Sequence, residues 1–133
     1  MKTILFNANQ ILTKDDITFN HYPIAENMVI ISTGHDDSII SSPEGYREYI
    51  IPILEAIQNC SLRNYYLRLA SITSTVTDYQ GTHTWVFTTD TFYNEPDTEY
   101  IIGALTNVFD DDYFEPIINY THGTFIVTQP YSC

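Results

Sequence analysis

The sequence predicts an α+β fold that has ferredoxin-like (split βαβ) order from about residue 27 and an N-terminal β-hairpin before it. Short runs rich in β-branched residues indicate strands, and two longer segments with apolar residues at helical spacing indicate helices. From residue 27 these segments follow the order strand, helix, strand, strand, helix, strand, which is typical of the split βαβ motif. The 133 residues, 44% of them hydrophobic, suit a single domain spanning residues 1–133.

The N-terminal half contains three predicted strands and one predicted helix. The runs KTILFN and DITFNHYP should form the hairpin, and NMVIIST should be a buried strand. A helix should begin at residues 41–44, where two serines, a proline and a glutamate form a helix-start signal. Apolar residues continue at helical spacing to Ile57, so Pro52 is expected to kink this helix rather than end it.

The C-terminal half contains a predicted hairpin, a second helix and a last strand. YYLRLASITSTVTD and THTWVFTTDTF should pair across the turn DYQG. PDTEYIIGALTNVF should be a helix with Asp97 or Thr98 as its N-cap. YFEPIINY is interpreted as a separate short helix, and GTFIVTQP as the last strand, with His122 in the turn before it. The buried face of the second helix should consist of Ile101, Ile102, Leu105, Val108 and Phe109.

Charge is distributed unevenly along the chain. The protein has seventeen acidic and five basic residues, a net charge of −12. Residues 1–68 hold eight acids and all five bases, which leaves −3, whereas residues 69–133 hold nine acids and no base, which gives −9. Direct binding of nucleic acid is therefore disfavoured, because such binding depends on lysine and arginine meeting phosphates.

Cellular location is predicted from two absences in the sequence and from its cysteines. There is no apolar run long enough to cross a membrane, and polar residues interrupt the apolar stretch after Lys2, so no signal peptide is expected. Two cysteines, Cys60 and Cys133, do not make a disulfide framework, and both are expected to be free thiols. These features predict a cytoplasmic protein, in the host cell's cytoplasm if the protein is viral.

Two acidic clusters that contain tyrosine are the predicted partner-binding residues. Carboxylates form bidentate pairs with arginine, and tyrosine is a favoured interface anchor. One aspartate of the second cluster is also expected to cap a short helix, which leaves the others as exposed charge. The first acidic cluster consists of Tyr93, Glu95, Asp97 and Glu99, and the second consists of Asp110, Asp111, Asp112, Tyr113 and Glu115.

No catalytic residue, metal or cofactor is predicted, and the sequence favours a protein without enzymatic activity. Three adjacent aspartates cannot all reach one ion from a regular element, and the alternate spacing of a calcium loop is absent. The four histidines show no metal-binding spacing, and no phosphate-binding loop or nucleophile motif occurs. HGTF at His122 fits the His-x-Thr-apolar motif of the two-histidine phosphoesterases, but HTWV at His83 has no threonine at the position that the second motif needs.

Two further segments, ILFNANQIL and ISTGHDDSI, resemble motifs of viral ring nucleases, which degrade cyclic oligoadenylate. The likeness consists of Asn-Ala in the first strand and a later Gly-His. Carried over, it implies an enzyme acting on a nucleotide signal with His35 as the catalytic histidine. That family surrounds its polyanionic ligand with basic residues, whereas this chain has none after Arg68.

The sequence therefore favours a small acidic inhibitor that binds a basic, nucleic-acid-binding surface of a partner protein such as a host nuclease. In charge and composition it resembles phage-encoded inhibitors of host defence enzymes, among them anti-CRISPR proteins and DNA mimics. Two alternatives stay open: a ring-nuclease-like enzyme for a nucleotide signal, and a non-catalytic viral structural or assembly protein. Homo-oligomers are compatible with the inhibitor and with both alternatives.

Overall fold

The computed structural model describes residues 2–7, 12–14, 17–19, 22–33, 46–77, 80–110 and 115–132. The strands in these residues are β1 (Lys2–Asn7), β2 (Leu12–Lys14), β3 (Ile17–Phe19), β4 (Ile24–Thr33), β5 (Arg68–Thr77), β6 (Gln80–Thr88), β7 (Ile117–Thr121) and β8 (Thr124–Ser132). The α-helices are α1 (Ile51–Gln58) and α2 (Glu95–Val108). A π-type turn, Tyr46–Ile50, leads into α1, and a 3₁₀ turn, Ser61–Tyr65, follows it.

The strands form a mixed six-stranded sheet in the order β1-β4-β5-β6-β8-β7, so the predicted α+β class is confirmed. β4 and β5 are parallel and are joined through α1, and all other neighbours are antiparallel. The predicted ferredoxin-like order is not confirmed. That order places another strand between the two strands that flank the first helix, whereas here β4 and β5 are bonded directly, with Ile30 opposite Ile72.

The N-terminal segment pairs differently from the predicted hairpin. β1 lies antiparallel to β4, with Lys2 opposite Ser32 and Asn7 opposite Asn27. β3, in the segment expected to pair with β1, pairs instead with β2 in a separate two-stranded sheet. The ten-residue β4 offers all six residues of β1 a partner, whereas β3 has three residues.

The core lies between the two helices and one face of the sheet. Alternate residues of the strands point into it, as expected for a half-buried sheet. Its fully buried members include Met28, Ile30, Ile72, Trp85, Phe87, Phe125 and Val127 from the sheet and Leu54, Ile57, Ile101 and Leu105 from the helices. The opposite face carries many threonines, and Thr73, Thr84 and Thr128 are cross-strand neighbours on it.

Both predicted helices exist, and the N-cap of the second differs from the prediction. The predicted start at residues 41–44 lies outside the described residues. Helical backbone runs from Tyr46 to Gln58 and changes from π-type to α-type geometry just before Pro52. Proline lacks the N–H of a regular helical hydrogen bond, so a change of geometry at this point is expected.

The second helix, α2, is capped by Asn94 and not by Asp97 or Thr98. The Asn94 side-chain oxygen accepts a hydrogen bond of 3.0 Å from the Asp97 N–H, and Pro96 occupies the first turn. The predicted inward face is confirmed: Ile101, Leu105 and Phe109 are buried, and Ile102 and Val108 are partly buried against the core.

The Asn94 cap should contribute measurably to stability. We expect Asn94→Ala to lower the free energy of unfolding by about 1 kcal/mol, because one N–H of the first turn loses its partner. Asn107→Ala, at an exposed position of the same helix, is the matched control and should cause no loss. Urea denaturation of both variants measures the difference, and equal midpoints would mean that the cap is energetically irrelevant.

The segment Ile117–Thr121 is a strand, so the prediction of a short helix was wrong for these residues. Ile118 and Tyr120 pack against the core, and Ile117 and Asn119 are exposed, which is the alternation of a half-buried strand. Tyr113 and Phe114, in the first part of the predicted helix, lie outside the described residues. The turn between β7 and β8 contains His122, as predicted, and Gly123, with φ angles of 49° and 77°.

Candidate functional site

The uneven distribution of charge along the sequence is also an uneven distribution over the folded structure. The elements that the described residues form from residue 69 onward are β5, β6, α2, β7 and β8, and the four strands among them are neighbours at one side of the sheet. Basic residues precede this part of the chain: Lys2 is in β1, Lys14 in β2, Arg47 in the π-type turn, Arg63 in the 3₁₀ turn and Arg68 at the start of β5. The side of the molecule that contains α2 therefore carries acids and no base from its own chain segment.

The two acidic clusters flank opposite ends of α2. Glu95 and Asp97 lie in its first turn, Glu99 lies one turn further, and Asp110 follows its last residue by two positions. At 1.5 Å per residue, Glu95 and Asp110 are separated by about 22 Å along the helix axis. Glu115 is exposed just before β7. Asp111, Asp112 and Tyr113 lie outside the described residues.

Some of these acids have a structural explanation and others do not. Glu95 and Asp97 lie at the N-terminus of α2, where a negative charge interacts favourably with the helix dipole. Glu99 lies beyond that turn, and Asp110 follows the C-terminus, where a negative charge opposes the dipole. Both side chains are exposed, and the one ion pair found within the described residues joins Arg68 and Asp90 at 2.9 Å. Glu99 and Asp110 thus carry charge that the fold does not use.

The tyrosines near the first cluster differ in exposure. Tyr93, a predicted partner-binding residue, is partly buried: its hydroxyl donates a 2.9 Å hydrogen bond to the Tyr65 carbonyl, and its ring packs edge-on against that of Tyr65. Desolvation by burial raises the pKa of Tyr93. Tyr100 is exposed, with 48% of its surface accessible. In the sequence, Tyr100 does not share the helical spacing of the buried residues Ile101 and Leu105. This spacing indicates that the Tyr100 side chain points away from the core.

A cleft of about 850 Å³ opens between α1 and α2 beside Tyr100. Its lining combines one carboxylate with hydroxyl, thiol and amide groups and with small apolar side chains, and it includes no base. The lining includes Ala56, Cys60, Ser61, Glu99, Tyr100 and Gly103. The Ser61 and Tyr100 hydroxyls are hydrogen-bonded to each other, and the Tyr65 ring lies 5.8 Å from that of Tyr100.

Gly103 lies in the interior of α2 and is exposed at the cleft. A Cβ built at this position would meet no atom within 4 Å, so neither packing nor backbone conformation requires glycine. Glycine in a helix interior costs about 1 kcal/mol relative to alanine. The missing side chain leaves the cleft more open and gives the fold no stability in return.

The predicted free thiol of Cys60 has a local structural role. Its sulfur accepts a hydrogen bond from the Leu62 N–H at 3.4 Å and donates to the Ile57 carbonyl at 3.5 Å. The thiol therefore caps the 3₁₀ turn that positions Ser61. Cys133 lies outside the described residues.

The two described histidines do not form one catalytic pair. His83 is buried on β6, and desolvation lowers its pKa to about 4. His122 is exposed in the turn between β7 and β8. Thr88, five residues along β6 from His83, pairs with Thr124 next to that turn, so the backbones of the two histidines are roughly 17 Å apart or more. His21 and His35 lie outside the described residues.

In the two segments that resemble ring-nuclease motifs, Asn7 of the first lies far from the last described residue of the second. Asn7, at the end of β1, is opposite Asn27, whereas the second segment includes Thr33 at the far end of β4 and continues beyond it. Six residues of strand, roughly 20 Å, separate those two positions. The described backbone therefore places the beginnings of the two segments side by side, since Ile4 is opposite Ile30, but keeps Asn7 away from Thr33.

Comparison of the sequence with models of known protein families and with curated proteins finds no match. No helix among the described residues is long and apolar enough to cross a membrane. The described residues also contain no group of three or more histidine, cysteine, aspartate or glutamate side chains placed to hold a metal ion.

Proposed function

We propose that this protein binds a basic, nucleic-acid-binding surface of a partner protein and inhibits it by excluding nucleic acid. The observation that carries the proposal is the exposed acidic charge at both ends of α2, in a part of the chain, residues 69–133, that contains no base. Like-charge repulsion of this kind destabilises a compact domain, so its concentration around one helix is better explained by an external cation than by the fold.

The dimensions of α2 fit this role. The roughly 22 Å between Glu95 and Asp110 corresponds to about six nucleotides of one strand at 3.4 Å each. A groove that holds such a strand is lined with lysine and arginine, and carboxylates pair with both. The partner class that this charge suits is a nuclease or another nucleic-acid-binding protein of the cytoplasm, as for phage-encoded anti-defence inhibitors.

The test is capture of the partner on immobilised protein, followed by elution with a salt gradient and identification by mass spectrometry. We expect a nucleic-acid-binding protein to elute at moderate salt, because screening weakens exposed charge pairs. The variant Glu99→Gln/Asp110→Asn should release it at lower salt than the wild type. Glu26→Gln/Glu48→Gln removes two exposed charges from other elements and is the matched control.

Three outcomes contradict the proposal. The first is recovery of the protein alone, or of nothing. The second is elution that does not depend on salt. The third is equal weakening by both double variants, which would show that total charge matters and that the position of the charge at α2 does not.

A further inference from the structure

The cleft between α1 and α2 offers the first acidic cluster a defined binding geometry. Glu99 of that cluster lines the cleft, whereas Glu95 and Asp97 do not. The other walls are formed partly by small residues, Ala56 and Gly103, so the space is open to a side chain from outside. Glu99 is therefore the acid best placed to act on a group inside the cleft.

Tyr100 supplies an aromatic face that is already ordered. Although about half exposed, it is held by the Ser61 hydroxyl and by the neighbouring Tyr65 ring, which is itself packed against Tyr93. An ordered aromatic side chain loses little conformational freedom on binding, which is the main advantage of a preformed site. The Tyr100 ring thus forms a ready surface for a flat group.

The chemistry of the cleft matches guanidinium better than ammonium. A carboxylate accepts the two parallel hydrogen bonds of an arginine side chain, and an aromatic face stacks on its plane. Lysine is a compact, strongly hydrated point charge and uses neither feature fully. No base lines the cleft among the described residues, so nothing of the chain's own competes for Glu99 there.

We infer that the cleft between α1 and α2 receives an arginine side chain of the basic partner, which pairs with Glu99 and stacks on Tyr100 above the open position at Gly103. This inference rests on the proposed function and specifies the part of the acidic surface that selects arginine over lysine. The Ser61 hydroxyl, on the 3₁₀ turn that the Cys60 thiol caps, holds Tyr100 in place.

A peptide titration tests the inference on the full chain. The probe is a blocked hexa-arginine peptide, and a blocked hexalysine peptide of equal charge is the comparison. We expect saturable amide shifts in nuclear magnetic resonance spectra at Ser61, Glu99, Tyr100 and Gly103, with the arginine peptide bound about tenfold more tightly than the lysine peptide. Equal affinity, or shifts spread evenly over the acidic residues, would overturn the inference.

Two pairs of variants separate the cleft from general charge. Glu99→Gln should weaken binding of the arginine peptide about tenfold, whereas Glu26→Gln, which removes the same charge from an exposed position on β4, should have a small effect. Gly103→Leu should also weaken binding about tenfold by filling the cleft. Gly103→Ala adds one methyl group and should bind nearly as the wild type does.

Folding of the Gly103 variants is checked by thermal unfolding. Both replace glycine by a better helix former at a position with free space, so both should melt at or above the wild-type temperature. Loss of peptide binding by a fully folded Gly103→Leu variant therefore supports the cleft as the binding site. Retained binding in that variant overturns it.

The outcomes also separate this inference from the proposed function. If Glu99→Gln leaves peptide binding unchanged while a nucleic-acid-binding partner is still captured and elutes with salt, the cleft does not select arginine but the proposed function remains. If no nucleic-acid-binding partner is captured while the peptide binds in the cleft, the proposed function fails and an arginine site remains.

Discussion

Phe109→Ala is expected to lower the free energy of unfolding by about 3–5 kcal/mol, the usual range for removing a buried phenylalanine side chain. Phe109 is 1% exposed, and its ring packs edge-on against Trp85 at 5.0 Å and Phe87 at 6.1 Å. Its carbonyl accepts a hydrogen bond from the Gln129 side chain at 3.3 Å. Because small domains are stable by about 5–15 kcal/mol, this loss is a large fraction of the total.

Phe92→Ala is the matched control, since Phe92 is 75% exposed. Urea denaturation should show a change of less than about 0.5 kcal/mol for this variant, as is usual for surface substitutions. Phe109 also fixes the C-terminal end of α2 against the sheet, directly before Asp110. Equal stability of the two variants would mean that the aromatic contacts between α2 and the sheet are not what holds the helix in place.

Acid is expected to destabilise the protein through His83 by about 3 kcal/mol as the pH falls from 6.5 to about 4. Burial lowers the pKa of this side chain to about 4, whereas its ordinary value is 6.5. In that pH window the unfolded chain binds a proton at His83 and the folded protein does not. The contribution of His83 to the free energy of unfolding is therefore fully present above pH 6.5 and is lost progressively as the pH falls toward 4.

The measurement is the free energy of unfolding as a function of pH for the wild type, His83→Gln and His122→Gln. Protonation of carboxylates relieves acidic self-repulsion in all three proteins, so the difference between their curves isolates the histidine. His122→Gln, at an exposed turn position, should keep the wild-type pH dependence, and His83→Gln should lose the part between pH 6.5 and 4. If the free energy of unfolding has the same pH dependence in all three proteins, burial of His83 does not lower its pKa in the folded state.

Local patterns predicted much of the fold, and long-range pairing limited the rest. The β5–β6 hairpin and the buried face of α2 follow from turn residues and from periodicity within one segment. The pairing of β1 with β4 could not be predicted in this way, because β4 is more than ten residues away in sequence. It pairs with β1 because it is a longer strand than β3. The short run Ile117–Thr121 is compatible with either helix or strand, and its pairing with β8 decides between them.

For the candidate site, too, the sequence indicated the features that depend on single residues and missed those that depend on long-range contacts. Charge counting indicated Glu99 and Asp110 directly, because exposed acids need no partner to be recognised in a sequence. The cleft depends on Ser61 and Tyr100, which are 39 residues apart and meet only when α1 and α2 pack on one face of the sheet. No sequence pattern signals that Gly103 faces open space, since glycine in a helix more often marks a close approach of backbones.

The most direct test of the proposed function is whether the captured partner can hold nucleic acid and this protein at the same time. Fluorescence anisotropy of a labelled oligonucleotide bound to the partner reports displacement as the protein is added. We predict complete displacement by the wild type, a lower apparent affinity for Glu99→Gln/Asp110→Asn, and wild-type behaviour for Glu26→Gln/Glu48→Gln. A ternary complex, with unchanged oligonucleotide affinity at saturating protein, would contradict the proposal that the acidic side of α2 takes the place of nucleic acid.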